Sequence, residues 1–249
     1  MRTRSRIKSF LSFFFLICLL ILFSPSLHAF NLEGKVKLDP PLPEPTWLEI
    51  PEKDASACGP RKLSPKLRIS KEGYIANVVV WLEGHFAGEK ISSEKKYVLD
   101  QVNCEFFPHV LLIPRSAALS ILNSDETLHN VRAFDEKAQM LFNDAMPKKG
   151  QVLEKHFGEP GFIIHRCGVH PWMHAMVVVE EHPFYVLTNE EGYFKIEGIP
   201  EGNYTLSLWH ETLGRMSVKV DPRTAFLALT YPALPKTVTP SESDTASSK

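Results

Sequence analysis

The chain has 249 residues, of which 44% are hydrophobic, and its 28 basic and 29 acidic side chains leave a formal net charge of −1. A near-neutral balance with no basic block excludes a nucleic-acid-binding role. The length allows one or two modest cores.

At the start, Arg2, Arg4, Arg6 and Lys8 precede an apolar run from Phe10 to Phe23 and then Ser24-Pro-Ser-Leu-His-Ala29. This is the pattern of a secretory signal cleaved near Ala29, assigning 1–29 to the signal peptide. The apolar run is shorter than the ~20 residues a spanning helix needs, and Cys18 follows bulky Ile17, unlike a lipoprotein cleavage site. A periplasmic or secreted protein is expected, touching the membrane only through this segment before cleavage. The remaining chain keeps Cys58, Cys104 and Cys167. In an oxidising compartment an odd count leaves one thiol over. Cys58 and Cys104 have no ligand-type residue beside them, whereas Cys167 has His170 and Met173 close by. A Cys58–Cys104 disulfide with Cys167 free is therefore expected; the alternative joins Cys167 to one of the other two.

Downstream, the proline-dense stretch 38–47 reads as an extended linker or edge. Short, β-branched segments divided by Gly, Pro, Asn or Asp then follow one another: KLRIS (66–70), ANVVVWLEG (76–84), HVLLI (109–113), ALSILNSD (118–125), HNVRAF (129–134), FIIHRC (162–167) and AMVVVEE (175–181). Such spacing predicts an all-β protein built as sandwiches. One helix is expected over 135–146, ended by Pro147. From Phe184 the strands alternate tightly around the turns Asn189-Glu-Glu-Gly192 and Pro200-Glu-Gly202, which predicts hairpins. The tail from 233 lacks the apolar residues to order itself.

The candidate chemistry lies in Arg166-Cys-Gly-Val-His-Pro-Trp-Met-His174, where a thiol, an imidazole and a thioether are spaced three residues apart. Thiolate, imidazole and weak thioether are the donors of a blue-copper site, which needs a second imidazole from elsewhere. His129, at a strand start after the turn in Asn123-Ser-Asp-Glu-Thr-Leu-His-Asn-Val131, is the candidate. Met176 is the rival to Met173. Asn130 is expected to tie the His129 strand to the Cys167 loop, with backbone N–H groups donating to the sulfur. His109 reads as structural, and His165, His174, His182 and His210 as strand-edge or solvent residues. His210 and Glu211 lack a third member for a hydrolytic centre.

Two family resemblances attach to these residues. Thr188, Gly192, Phe194, Ile196, Ile199, Pro200, Gly202, Tyr204 and Leu206 match a pattern similar to that of carboxypeptidase regulatory-like, transthyretin-like β-domains. The segment Cys-Gly-Val-His-Pro-Trp-Met, with His129-Asn-Val131 upstream, resembles the copper loop of amicyanin-type cupredoxins. The second resemblance implies a Greek-key sandwich holding one type 1 copper ion on His129, Cys167, His170 and Met173. It also implies that His170 lies at the exposed end of the site, beside Pro171 and Trp172, where partners dock. The expected organisation is an N-terminal β-region at 30–92, a cupredoxin domain at 93–181, a regulatory-like β-domain at 182–232 and a tail at 233–249.

A nearly closed coordination shell leaves no open position for substrate. The expected function is outer-sphere electron transfer with a redox partner protein, such as a c-type cytochrome or a dehydrogenase, and not enzyme catalysis. The alternative is copper binding or delivery without redox turnover.

Overall fold

The computed structural model describes residues 29–86, 95–221, 223–224 and 226–234. The expected signal segment up to residue 28, and the tail from 235, lie outside the described residues. The N-terminal part supplies strands β1 (Ala29–Leu38) and β2 (Trp47–Glu49), a short helix α1 (Glu52–Cys58), and strands β3 (Arg61–Leu63) and β4 (Val79–Glu83). The middle supplies β5 (Tyr97–Val102), β6 (Glu105–Phe107), β7 (Val110–Pro114), β8 (Ala118–Asn123), β9 (His129–Phe134), β10 (Met140–Met146), β11 (Val152–His156), β12 (Gly161–Arg166) and β13 (His174–Glu180). Five more follow: β14 (Tyr185–Leu187), β15 (Tyr193–Pro200), β16 (Tyr204–His210), β17 (Gly214–Val220) and β18 (Phe226–Tyr231). The fold is all-β, as its strand-sized apolar segments predict.

Four sheets stack in layers. The outer sheet β11-β8-β5-β6 faces the sheet β10-β9-β12-β13-β7 across a core that includes Leu99, Ile121, Val131, Ala133, Ala175 and Val177. On the far side, β14-β4-β16-β17 faces β15-β1-β18 across Leu32, Val36, Val80, Leu82, Phe194 and Leu206. The two inner sheets meet across a third core of Val79, Trp81, Val110, Phe162, Met176 and Val178.

This layering explains why two runs in the sequence are apolar without alternation. Successive strand side chains point to opposite faces, so β4 sends Val80 and Leu82 into one core and Val79 and Trp81 into the other. Strand β13 divides its residues in the same way: Ala175, Val177 and Val179 to one side, Met176 and Val178 to the other. A strand buried on both faces reads as a continuous hydrophobic run. Strands from the N-terminal part also complete sheets formed by the C-terminal hairpins, β1 lying between β15 and β18, and β4 between β14 and β16.

The helix expected over 135–146 is absent. Residues 135–139 form a turn in which the Asp135 carboxylate accepts hydrogen bonds from the backbone N–H groups of Lys137 (2.9 Å) and Gln139 (2.8 Å). Strand β10 then pairs antiparallel with β9, burying Met146 fully and Phe142 in part. Asp135 offers its backbone a turn in place of a helix start, and the β9 edge takes up the segment that follows. KLRIS likewise forms no named strand, contributing an isolated bridge at Ile69.

Candidate metal centre

One end of the sandwich formed by the β5 and β9 sheets is assembled around Asn123 and Asp125, in the turn between β8 and β9. Asn123 is fully buried and its Nδ2 donates to the carbonyls of Thr127 (3.1 Å) and Met146 (2.8 Å), while its Oδ1 accepts from the Asp125 N–H (2.9 Å). The turn is thereby closed on itself and aimed. Asp125 in turn accepts from the backbone N–H groups of Asn103 (2.7 Å) and Cys104 (2.8 Å) and from His129 Nε2–H (2.8 Å). That last bond orients the ring, with Nε2 held at Asp125 and Nδ1 turned inward to the Cys167 sulfur.

Cys167, at the end of β12, and His170 belong to the loop that leads into β13. The loop is drawn tight by the Met173 N–H donating to the His170 carbonyl (3.0 Å) and the Cys167 N–H donating to the Met173 carbonyl (3.2 Å). Three of the four expected donors converge: Cys167 Sγ lies 4.0 Å from His129 Nδ1 and 3.9 Å from His170 Nδ1, and the two nitrogens are 3.0 Å apart. All three residues are buried, His129 completely. Met173 is 2% exposed and packs in the same core as Cys167. Met176 projects to the opposite face of β13 into the core between the two inner sheets, and so is set aside as the rival donor.

A metal ion fits these residues. A point in the plane of the three donor atoms is about 2.1 Å from each, against typical metal–nitrogen distances of ~2.0–2.1 Å and metal–sulfur distances of ~2.3 Å. The charge environment suits a thiolate as well. Burial pushes the Cys167 thiol up, but hydrogen bonds from His129 and from the backbone N–H groups of His170, Asn130 and Val169 outweigh it and hold the thiol below its ordinary value. The Val169 and His170 N–H groups each lie 3.4 Å from the sulfur. Burial and the neighbouring His129 lower His170. Burial alone would lower His129 too, yet its bonds to Cys167 and Asp125 raise it.

Asn130 ties strand to loop as its chemistry predicts, its Oδ1 accepting from the Gly168 N–H at 3.2 Å. A Cβ on residue 168 would come within 2.6 Å of that same oxygen, so a larger residue there would displace the Asn130 amide from this bond.

The surroundings of His170 differ from the expectation. The residue is 2% exposed, with Cys58 Sγ 3.9 Å from its Nε2. Cys58 and Cys104 form the expected disulfide and Cys167 is free. Helix α1 brings Cys58 over the imidazole, and the Trp172 indole N–H donates to the Cys104 carbonyl at 3.0 Å, fastening the loop to this cover. His165, His182 and His210, read from sequence as strand-edge or solvent residues, are also buried. Inward position on β12 and β16 decides the burial of His165 and His210, while His182 is buried in the bend between β13 and β14.

No protein-family model and no curated protein matches the sequence. Among solved structures the chain is similar to a purple cupredoxin from Nitrosopumilus maritimus, at 24% identity and a TM-score of 0.31, over 34% of this chain and 100% of that one. It is also similar to amicyanin from Paracoccus versutus, at 23% identity and a TM-score of 0.32, over 35% and 83% of the two chains. A copper-containing nitrite reductase from Thermus scotoductus SA-01 matches at 23% identity and a TM-score of 0.31, over 40% of this chain and 25% of that one. Each of these likenesses spans less than half of the chain. The chemistry of the centre rests on its own side chains.

Proposed function

We propose that the chain is an exported carrier of single electrons that binds one copper ion through His129, Cys167 and His170, with Met173 as a weak fourth donor. The observation that carries this reading is the triangle of donor atoms around Cys167. Two buried imidazole nitrogens 3.0 Å apart, with the His129 ring oriented through Nε2 by Asp125, lie beside the Cys167 sulfur in a geometry that one cation can bridge. One thiolate, two imidazoles and a thioether suit copper better than hard cations, which prefer oxygen. Copper held there supplies one-electron exchange.

The protein contributes a preset geometry. Asp125 and Asn123 orient His129 before any ion arrives, and Asn130 holds the Cys167 loop against its strand. Backbone N–H groups at the sulfur draw charge from the thiolate, favouring the reduced form. The apolar core around Cys167 and Met173 excludes water and leaves no room for a substrate, which supports a carrier over a catalyst. Leu128 and Val169, both exposed, flank Asn130 and Gly168 on the surface of this end and offer a docking patch for a redox partner protein.

The test is visible absorption during titration with Cu(II). One equivalent should produce an intense thiolate-to-copper band, and Cys167→Ser should abolish it while far-UV circular dichroism stays unchanged. A wild-type protein that remains colourless overturns the reading. The copper should also survive cycles of reduction and reoxidation; rapid loss of Cu(I) to a competing chelator favours copper delivery instead.

A further inference from the structure

A second cluster of donors lies where the two sandwiches meet. His109 sits between β6 and β7, His174 opens β13, and Glu211 follows β16 in the turn to β17. Nε2 of His109 contacts Glu211 Oε1, and Nε2 of His174 lies 3.3 Å from Glu211 Oε2. The three ligand atoms are all within 4.8 Å of one another. The two imidazole rings stand almost perpendicular, 89° between planes, with centroids 4.9 Å apart. The His109 side chain is 7% exposed and those of His174 and Glu211 are 13% and 14% exposed, so water reaches little of the cluster.

The polarity of His174 makes this arrangement unbalanced as it stands. Its Nδ1 lies 3.2 Å from the Trp172 carbonyl, which can only accept, so the ring proton sits on Nδ1. Nε2 is then a lone pair, buried and without a hydrogen-bond partner, directed at a carboxylate oxygen that is also an acceptor. Two acceptors facing each other out of water require a positive charge between them. A proton on Nε2 would make an ion pair with the Glu211 carboxylate and serve only that pair of atoms. A metal ion serves all three donors together.

We propose that His109, His174 and Glu211 form a second metal site, free of sulfur, for a divalent first-row transition ion such as zinc. Two imidazoles and one carboxylate match the harder, nitrogen- and oxygen-preferring members of that series, and three protein donors leave positions for water. The donors come from three separate segments, one of them the β16–β17 turn of the far sandwich. An ion there fastens that hairpin to the copper-side sandwich. His174 directly follows Met173, so the same start of β13 serves both centres.

The site is tested on the full mature chain, first loaded with one equivalent of Cu(II) and then given Zn(II), desalted and analysed for both metals. One zinc per chain should remain. Glu211→Gln and His109→Asn should each weaken zinc retention by about 100-fold or more, beyond the ~10–100-fold typical of removing an outer-shell partner, with the copper band and the circular dichroism unchanged. Failure of the copper-loaded wild type to keep zinc overturns the proposal and leaves Glu211 as an ion-pair partner of protonated histidines. Retention undiminished in both variants overturns it equally. If no copper band forms, the zinc count is repeated on Cys167→Ser; zinc that still depends on Glu211 then upholds the second site while the electron-carrier reading falls alone.

Discussion

The two sandwiches spend their interiors differently. The core between the β5 and β9 sheets contains Cys58, Cys104, Cys167, Met146 and Met173, with Gln101, Asn123, His129, His165 and His170 also buried in that half. The buried members of the core between the β4 and β1 sheets are Leu, Val, Ile, Phe and Tyr, without a sulfur among them. A polar side chain that crosses into the second half does so to brace backbone: Thr188 Oγ1 donates to the Ile75 carbonyl (2.7 Å) and accepts from the Val78 N–H (2.9 Å). Burying donors costs stability unless each finds a partner. The half that holds Cys167 meets that demand with Asn123, Asp125 and a disulfide, while in the other half His182 and His210 accept from the Phe184 and Thr212 N–H groups and Ser207 donates to Glu83.

Removing the disulfide should separate the halves most widely. The Cys58→Ala/Cys104→Ala double variant opens a crosslink across 46 residues and should lose about 4 kcal/mol by the loop-closure relation. Hydrogen exchange should show protection falling in β5–β13 while β15–β18 keep theirs. His170 should also become reactive toward an imidazole-modifying reagent, since Cys58 no longer covers it. Equal loss of protection in both halves would show that they unfold as one unit.

A deletion in the opposite core tests the converse. Leu82→Ala, at a fully buried position, should cost about 3 kcal/mol in chemical denaturation and leave the copper band where it was. A displaced band would mean that strain crosses β4 into the centre.

The smallest effect concerns the seam between the halves. Glu180 ends β13, is 7% exposed, and is pushed up to about 8 by burial, which the Lys95 charge offsets in part; Tyr97 and Tyr185 face the same carboxyl. Its folded value exceeds the unfolded one, so between roughly pH 4.5 and 8 the folded state holds the proton that the unfolded state releases. The Glu180 contribution to stability is therefore full below pH 4.5 and is lost as pH rises towards 8. Glu180→Gln should remove that slope, worth on the order of 1–3 kcal/mol, as measured by urea denaturation at pH 5 and pH 8. An unchanged slope would show that Glu180 is ionised in the folded protein throughout.

What could be read from sequence follows from how local each feature is. Cys167, His170 and Met173 share one loop, and His129, 38 residues before Cys167, was placed with them through the resemblance of the turn that precedes it; the structure brings His129, Cys167 and His170 together. Cys58 and Cys104 paired by elimination. The cover over His170 was illegible because it arrives from α1, more than a hundred residues away. The His109, His174 and Glu211 cluster was hidden for the same reason: each residue is unremarked in its own segment, and the layering of two sandwiches brings them together. Strand β10 was misjudged because a helix-compatible composition was decided by pairing with β9.

Strand β4 also has a history in time. It leaves the ribosome with Val78 to Leu82 exposed on both faces, yet its partner β16 lies about 125 residues further along. At bacterial rates of synthesis, ~5–20 residues per second, that is a wait on the order of ten seconds. Throughout it the chain displays a bare apolar strand with two open edges, a template for aggregation. A chain of this design calls for a holding factor during synthesis, and release should be timed to the emergence of the final hairpins.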